Sequence, residues 1–210
     1  MALFTPTKGF KTLDFQTNTN TRVTTSVSGI THRIKTGSQF WSFKLKSPAM
    51  TKADMMTDYS FIVQQDGMYG SFTIVPSEIG STRGTASGTI TVSGVTVVET
   101  EAGGVALGLT VGSSNVGVDN SGNTGTLKKG DLIKFSNHDK VYMLTADVNL
   151  DGSSVNALSF YPPLTTAVTS SHTVTYTNVP IKVFQDKDQI KFITQADGTY
   201  KYELVLNEDI

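Results

Sequence analysis

Gln39-Phe40-Trp41-Ser42-Phe43-Lys44-Leu45 is the stretch that decides the fold class. Trp41, Phe43 and Leu45 fall on one face, and Phe40, Ser42 and Lys44 on the other. That period of two is the mark of a strand with one buried side. Clustered aromatics also suit a sugar platform. Here they alternate in step with a leucine, which fits the inner face of a sandwich better.

Working outward, the same signature recurs. Lys11, Leu13 and Phe15 alternate against Phe10, Thr12 and Asp14. Arg22-Val23-Thr24-Thr25-Ser26-Val27 is β-branched and bounded by Gly29. On the other side, Thr51 followed by Asp54 is a helix-start signal. Met55, Tyr59, Ile62 and Val63 then recur at helical spacing up to Asp66-Gly67. Gly70 to Pro76 reads as a strand closed by proline.

Near residue 80 the composition changes. From Thr85 to Thr126 there is no Lys or Arg, and only Glu99, Glu101 and Asp119 are charged. Thr89 to Val98 alternates as a strand pair, and Ser113 to Gly125, rich in Asn and Gly, reads as a loop. Lys129-Gly130 predicts a turn leading into Leu132–Phe135, with Val141–Leu144 its partner after a turn at Asn137-His138-Asp139. Val155–Tyr161, Thr173–Tyr176, Ile181–Phe184 and Tyr200–Leu206 supply further strands. The expected fold is all-β with one short helix: a β-sandwich carrying an inserted, small, β-barrel-like domain. The expected domains are 1–83, an insertion over 84–177, and 178–210 returning to the first sandwich.

The chain has 210 residues, of which 38% are hydrophobic and 17% charged. The charged share lies below the ~25% usual for soluble domains. A polar but weakly ionic surface suits packing against other protein. The net charge of -1 gives little grip on phosphate backbones, so no specific nucleic-acid binding is expected. No cysteine is present, which removes disulfides, thiolate zinc sites and a cysteine nucleophile. The start, Met1-Ala2-Leu3-Phe4, does not read as a signal peptide, and no apolar run suggests membrane insertion.

Catalytic constellations are missing from the reading. His32, His138 and His172 stand far apart, with no metal-binding spacing, so no metal or cofactor is expected. Asp147-Val148-Asn149-Leu150-Asp151-Gly152 matches the opening of a calcium loop, but Leu158 occupies the position that needs a bidentate Glu. A β-hairpin turning at Asp151-Gly152 is favoured. No Gly-x-Ser-x-Gly elbow occurs, and Glu99 and Glu101 share a strand face instead of spanning a cleft. The chain is therefore read as a non-enzyme.

Three stretches carry a family resemblance. The first is Thr24-Thr25-Ser26-Val27-Ser28-Gly29 leading to Phe40-Trp41-Ser42-Phe43-Lys44-Leu45. The second is Ser47-Pro48-Ala49-Met50-Thr51-Lys52-Ala53-Asp54 and the helix after it, with Gly67-Met68-Tyr69-Gly70-Ser71-Phe72. The third is Lys129-Gly130-Asp131-Leu132-Ile133-Lys134-Phe135, continuing to Val141–Asp147 and Leu158–Leu164. In that order they resemble the distal tail proteins of long-tailed siphovirus bacteriophages. The resemblance implies a structural virion protein of the phage tail, assembled in the host cytoplasm. It implies a hexameric ring joining the tail tube to the tail-tip or baseplate hub around the DNA channel. Implied partners are further copies of the chain, the tail-tube protein, the tail-tip hub protein and a side fibre. A tail-tube subunit and a carbohydrate-binding module for host attachment stay open as alternatives. For subunit contacts, Arg22 and Arg33 are the candidates, because a long guanidinium arm can cross to a neighbour.

Overall fold

The computed structural model describes residues 1–95, 97–100, 103–119, 122, 124–152 and 155–210, with 97–100 and 103–106 described through their backbone. The chain opens with β1 (Leu3–Phe4), β2 (Thr12–Asn18), β3 (Thr21–Thr25), β4 (Thr31–Lys35) and β5 (Phe40–Lys46). Helix α1 (Lys52–Val63) and β6 (Ser71–Ile74) follow. Then come β7 (Ile90–Val92), β8 (Val97–Thr100), β9 (Gly103–Ala106), β10 (Asn115–Asp119) and β11 (Thr124–Leu127). Next are β12 (Leu132–Phe135), β13 (Val141–Leu144), β14 (Val148–Asp151), β15 (Asn156–Tyr161) and β16 (Thr173–Thr175). The last are β17 (Ile181–Gln185), β18 (Phe192–Thr194) and β19 (Tyr200–Glu208). The all-β reading with one helix and a small closed barrel stands. Two compact units result: Met1–Ile74 together with Lys182–Ile210, and Val75–Ile181.

The first unit is built on a sheet ordered β1-β6-β17-β19-β5-β2, with β18 also paired to β19. β5 lies between β2 and β19, so both its flanks are hydrogen-bonded. Trp41, Phe43 and Leu45 are buried as their alternation requires. Leu45 sits opposite Leu204, and Phe43 opposite Leu206 and Phe15. The Phe15 ring stacks on Trp41 at 4.7 Å and on Phe43 at 5.3 Å. The aromatic cluster is therefore core, and Trp41 presents no face to a sugar.

Thr51 caps α1 by accepting the Asp54 N–H at 3.3 Å, and its own hydroxyl donates to the Asp54 carboxylate at 3.0 Å. Met55 and Ile62 are buried, as the helical spacing predicts, whereas Val63 is exposed. Asp58 is buried as well, which hydropathy does not anticipate. Its carboxylate accepts the Thr7 N–H at 3.0 Å, the Thr7 hydroxyl at 2.6 Å and the Tyr202 hydroxyl at 2.8 Å. Three donors make a buried carboxylate tolerable. Burial, reinforced by the bond to Asp58, pushes the Tyr202 phenol well above its ordinary value.

The second unit is a closed six-stranded barrel, β10-β15-β13-β12-β16-β7. Ile90, Val118, Ile133, Phe135, Tyr142, Leu158 and Phe160 pack in its core. Two expectations need correction. Asn115–Asp119, read as part of a loop, is a barrel strand pairing β15 and β7. Its Val116 and Val118 alternate into the core while Asn and Gly disguise the pattern. A Cβ on Gly117 would come within 2.9 Å of Leu107 Cδ1, so a larger residue there would have to push the leucine side chain aside. The strand pair read over Thr89–Val98 is also wrong: β7 pairs β10 and β16, and β8 pairs β9. The predicted Lys129-Gly130 turn is present, with Gly130 at φ 91. Next to it, buried Asp131 accepts the Lys128 N–H at 2.8 Å, the Arg83 Nε–H at 3.1 Å and the Thr82 hydroxyl. Burial alone would raise the Asp131 carboxyl; these bonds outweigh it and hold it below the usual carboxylate range.

Because Leu45 is fully buried between two ladders, Leu45→Ala should cost about 2–5 kcal/mol. Trp41 is the only tryptophan in the chain, so its fluorescence in a urea titration should show the earlier midpoint.

Candidate interaction surfaces

The β2–β5 pairing runs from Thr12↔Lys46 to Asn18↔Phe40. The hairpin then continues past the sheet. The Thr36 N–H donates to the Asn20 carbonyl at 2.8 Å, and β3 pairs β4 from Thr21↔Lys35 to Thr25↔Thr31. A turn at Ser26–Gly29 closes it, with Gly29 at φ 82 and the Ser26 N–H donating to the Ile30 carbonyl at 2.9 Å. Every residue of β3 and β4 is exposed.

This ribbon carries both arginines singled out from the sequence. The register sets Arg22 opposite Ile34 and Arg33 opposite Val23. Cross-strand partners share a face, so the two arginines lie on opposite faces. Each face therefore pairs one guanidinium with one apolar side chain. Val23, Val27, Ile30 and Ile34 are all more than half exposed. Their uncovered state escaped the sequence reading. The available signal was that apolar residues occur at both parities of the strands, so neither face qualifies as an inside. No Asp or Glu occurs between Asp14 and Asp54, so the ribbon is cationic. A free two-stranded ribbon is marginal in water, and clustered exposed apolar groups mark a contact surface.

The other candidate groups fall into structural roles. His32 lies on the ribbon opposite Thr24. The His172 Nδ1 accepts the Thr169 N–H at 2.9 Å in a turn. His138 shares hydrogen bonds of 2.7 Å with both Tyr142 and Asn137 and stacks on Phe135. Burial, helped by Lys134 and opposed by Asp139, pushes His138 down to about 4. Among the described residues no His, Asp and Glu group could hold a metal ion.

The Asp147–Asp151 stretch is a strand end with Val148 and Leu150 buried. Its ladder partner is β11, and residues 153 and 154 of the expected hairpin turn lie outside the described residues. The Asp147 carboxylate accepts the Lys128 ammonium at 2.9 Å and the Lys129 N–H at 2.8 Å. Gly152 does take a positive φ, 81. Glu101 and the Glu99 side chain lie outside the described residues. Among the described residues no helix is long and apolar enough to cross a membrane.

His138 is neutral in the folded chain down to about 4, against about 6.5 when unfolded. The unfolded chain thus binds the extra proton first, and stability falls as pH drops from about 6.5 towards 4. His138→Gln should flatten the melting temperature over that interval, read by calorimetry at stepped pH.

Residues 90–179 match the family described as Distal tail protein pb9, B domain. The span runs from the first residue of β7 to just beyond β16, which takes in the whole closed barrel. No curated protein matches the chain. The family match bears out the resemblance to distal tail proteins, and it supports a structural role in a phage tail.

Proposed function

We propose that this chain, which carries a distal tail protein B domain, closes a ring at the far end of a siphovirus tail tube. The ring is hexameric, assembles in the host cytoplasm, and joins the tube to the tip or baseplate hub around the DNA channel. The inserted barrel is left to meet a side fibre. The observation that carries the ring is the β3–β4 ribbon, whose apolar side chains are more than half exposed.

Magnitudes assign the work within that contact. Covering one Val or Ile is worth about 1.5–3 kcal/mol. An exposed ion pair contributes about 0.2–1 kcal/mol. Val23 and Ile34 would then supply most of the affinity, while Arg22 and Arg33 set register and reject wrong neighbours. A ribbon laid on the next copy is a heterologous contact, and rotation closes such contacts into a ring. The weak net charge keeps identical copies from repelling one another and leaves passing DNA ungripped.

Mass photometry and negative-stain images of the purified full chain should show closed rings. Arg22→Glu with Arg33→Glu should weaken them, and Val23→Ser with Ile34→Ser should weaken them further, both with the monomer still folded. Rings that survive the double arginine change would contradict the arginine role. Open-ended tubes would favour a tail-tube subunit. A monomer that binds glycans would favour the carbohydrate-binding module.

A further inference from the structure

The turn that ends α1 and the segment after β17 enclose a groove of about 330 Å³ in the first unit, lined by Tyr59, Val63, Asp66, Gly67, Asp188 and Ile190. Gly67 lets the two segments meet. It takes φ 63, and a Cβ there would stand 2.6 Å from Asp188 Oδ1 and 2.9 Å from the Asp188 Cα. The Asp188 carboxylate accepts the Met68 N–H at 3.0 Å through one oxygen. Among the described residues the Asp66 carboxylate has no hydrogen bond or ion pair. Two carboxylates thus share one concave site. Lys187 and Lys191, the cations nearest to Asp188 in sequence, line a different cavity.

The rest of the groove is apolar. Val63 is 51% exposed, and the Tyr59 ring meets the Phe192 ring edge-on at 5.4 Å. Met68 and Tyr69, which follow Asp66 and Gly67, are 48% and 91% exposed. Exposed apolar groups clustered in this way mark a contact surface. The ribbon has the converse character. β3 and β4 carry Arg22, Arg33 and Lys35 with no acid, and one face sets Arg22 beside Ile34 while the other sets Arg33 beside Val23.

We propose that this groove receives the β3–β4 ribbon of a second copy of the chain. One ribbon face lays its guanidinium between Asp66 and Asp188, beside the Tyr59 ring, and its apolar partner against Val63 and Ile190. The inference rests on the ring reading above and supplies the surface that the ribbon meets. Charge and apolar character together select this occupant. A divalent cation satisfies the carboxylates alone, and an uncharged apolar segment satisfies Val63 and Ile190 alone. Ribbon and groove are different surfaces of the same unit, so each copy offers one of each. That makes the contact heterologous, as a closed ring needs.

The test uses the full chain in native mass spectrometry. Asp66→Asn with Asp188→Asn removes both charges, yet keeps an acceptor for the Met68 N–H and a residue that tolerates a positive φ. Self-association should weaken about tenfold or more, with circular dichroism showing an unchanged monomer. Charge reversal then assigns the partner. The ribbon variant Arg22→Glu with Arg33→Glu should form rings poorly by itself. So should the groove variant Asp66→Lys with Asp188→Asn. Mixed in equal amounts, the two should form rings in which they alternate, because every contact then joins opposite charges. Groove variants that assemble as well as the unchanged chain would overturn the proposal while the ribbon-built ring stands. A mixture that assembles no better than its components would do the same. An unchanged chain that stays monomeric would overturn both the ring and its groove.

Discussion

The structure depends on the ladder between β5 and β19. Leu45 faces Leu204 and Phe43 faces Leu206, so residues near the two ends of the chain form one buried seam. Closing so long a loop costs conformational entropy, but that cost grows only slowly with loop length. Once the seam forms, everything between β6 and β17 can be a separate unit with its own core. The barrel is that unit, and it closes on itself so that its ladder leaves no free edge.

The first unit has the opposite character. Its sheet ends in β2, a seven-residue edge strand, and the β2–β5 hairpin continues into a ribbon exposed on both faces. Trp41, Phe43 and Leu45 are buried in the sheet, whereas the ribbon that grows out of the same hairpin keeps its apolar side chains exposed. Val23, Val27, Ile30 and Ile34 are placed in that way. The account of assembly rests on this contrast between a sealed barrel and an unsealed ribbon, and the distal tail family match falls on the sealed part.

Much of this was legible in the residues, for physical reasons. Period-two alternation at Gln39–Leu45 places the core strand because three large side chains share one parity. Thr51 and Asp54 mark the helix start because capping is local chemistry. Lys129-Gly130 marks its turn because a positive φ favours glycine. What stayed hidden depends on distant partners. Asn115–Asp119 becomes a strand only through β15 and β7, and its glycine and asparagine look like loop in isolation. Asp58 is buried because Thr7 and Tyr202, far away in sequence, converge on it. Arg22 and Arg33 stand out in the sequence as residue types, but their opposite faces follow from register, which only the paired ribbon fixes.

Hydrogen–deuterium exchange on monomer and assembled particle compares the ribbon directly in its two states. The account requires amides of residues 21–35 to exchange quickly in the monomer and to become protected on assembly. Closed rings in which those amides exchange as fast as in the monomer would contradict it.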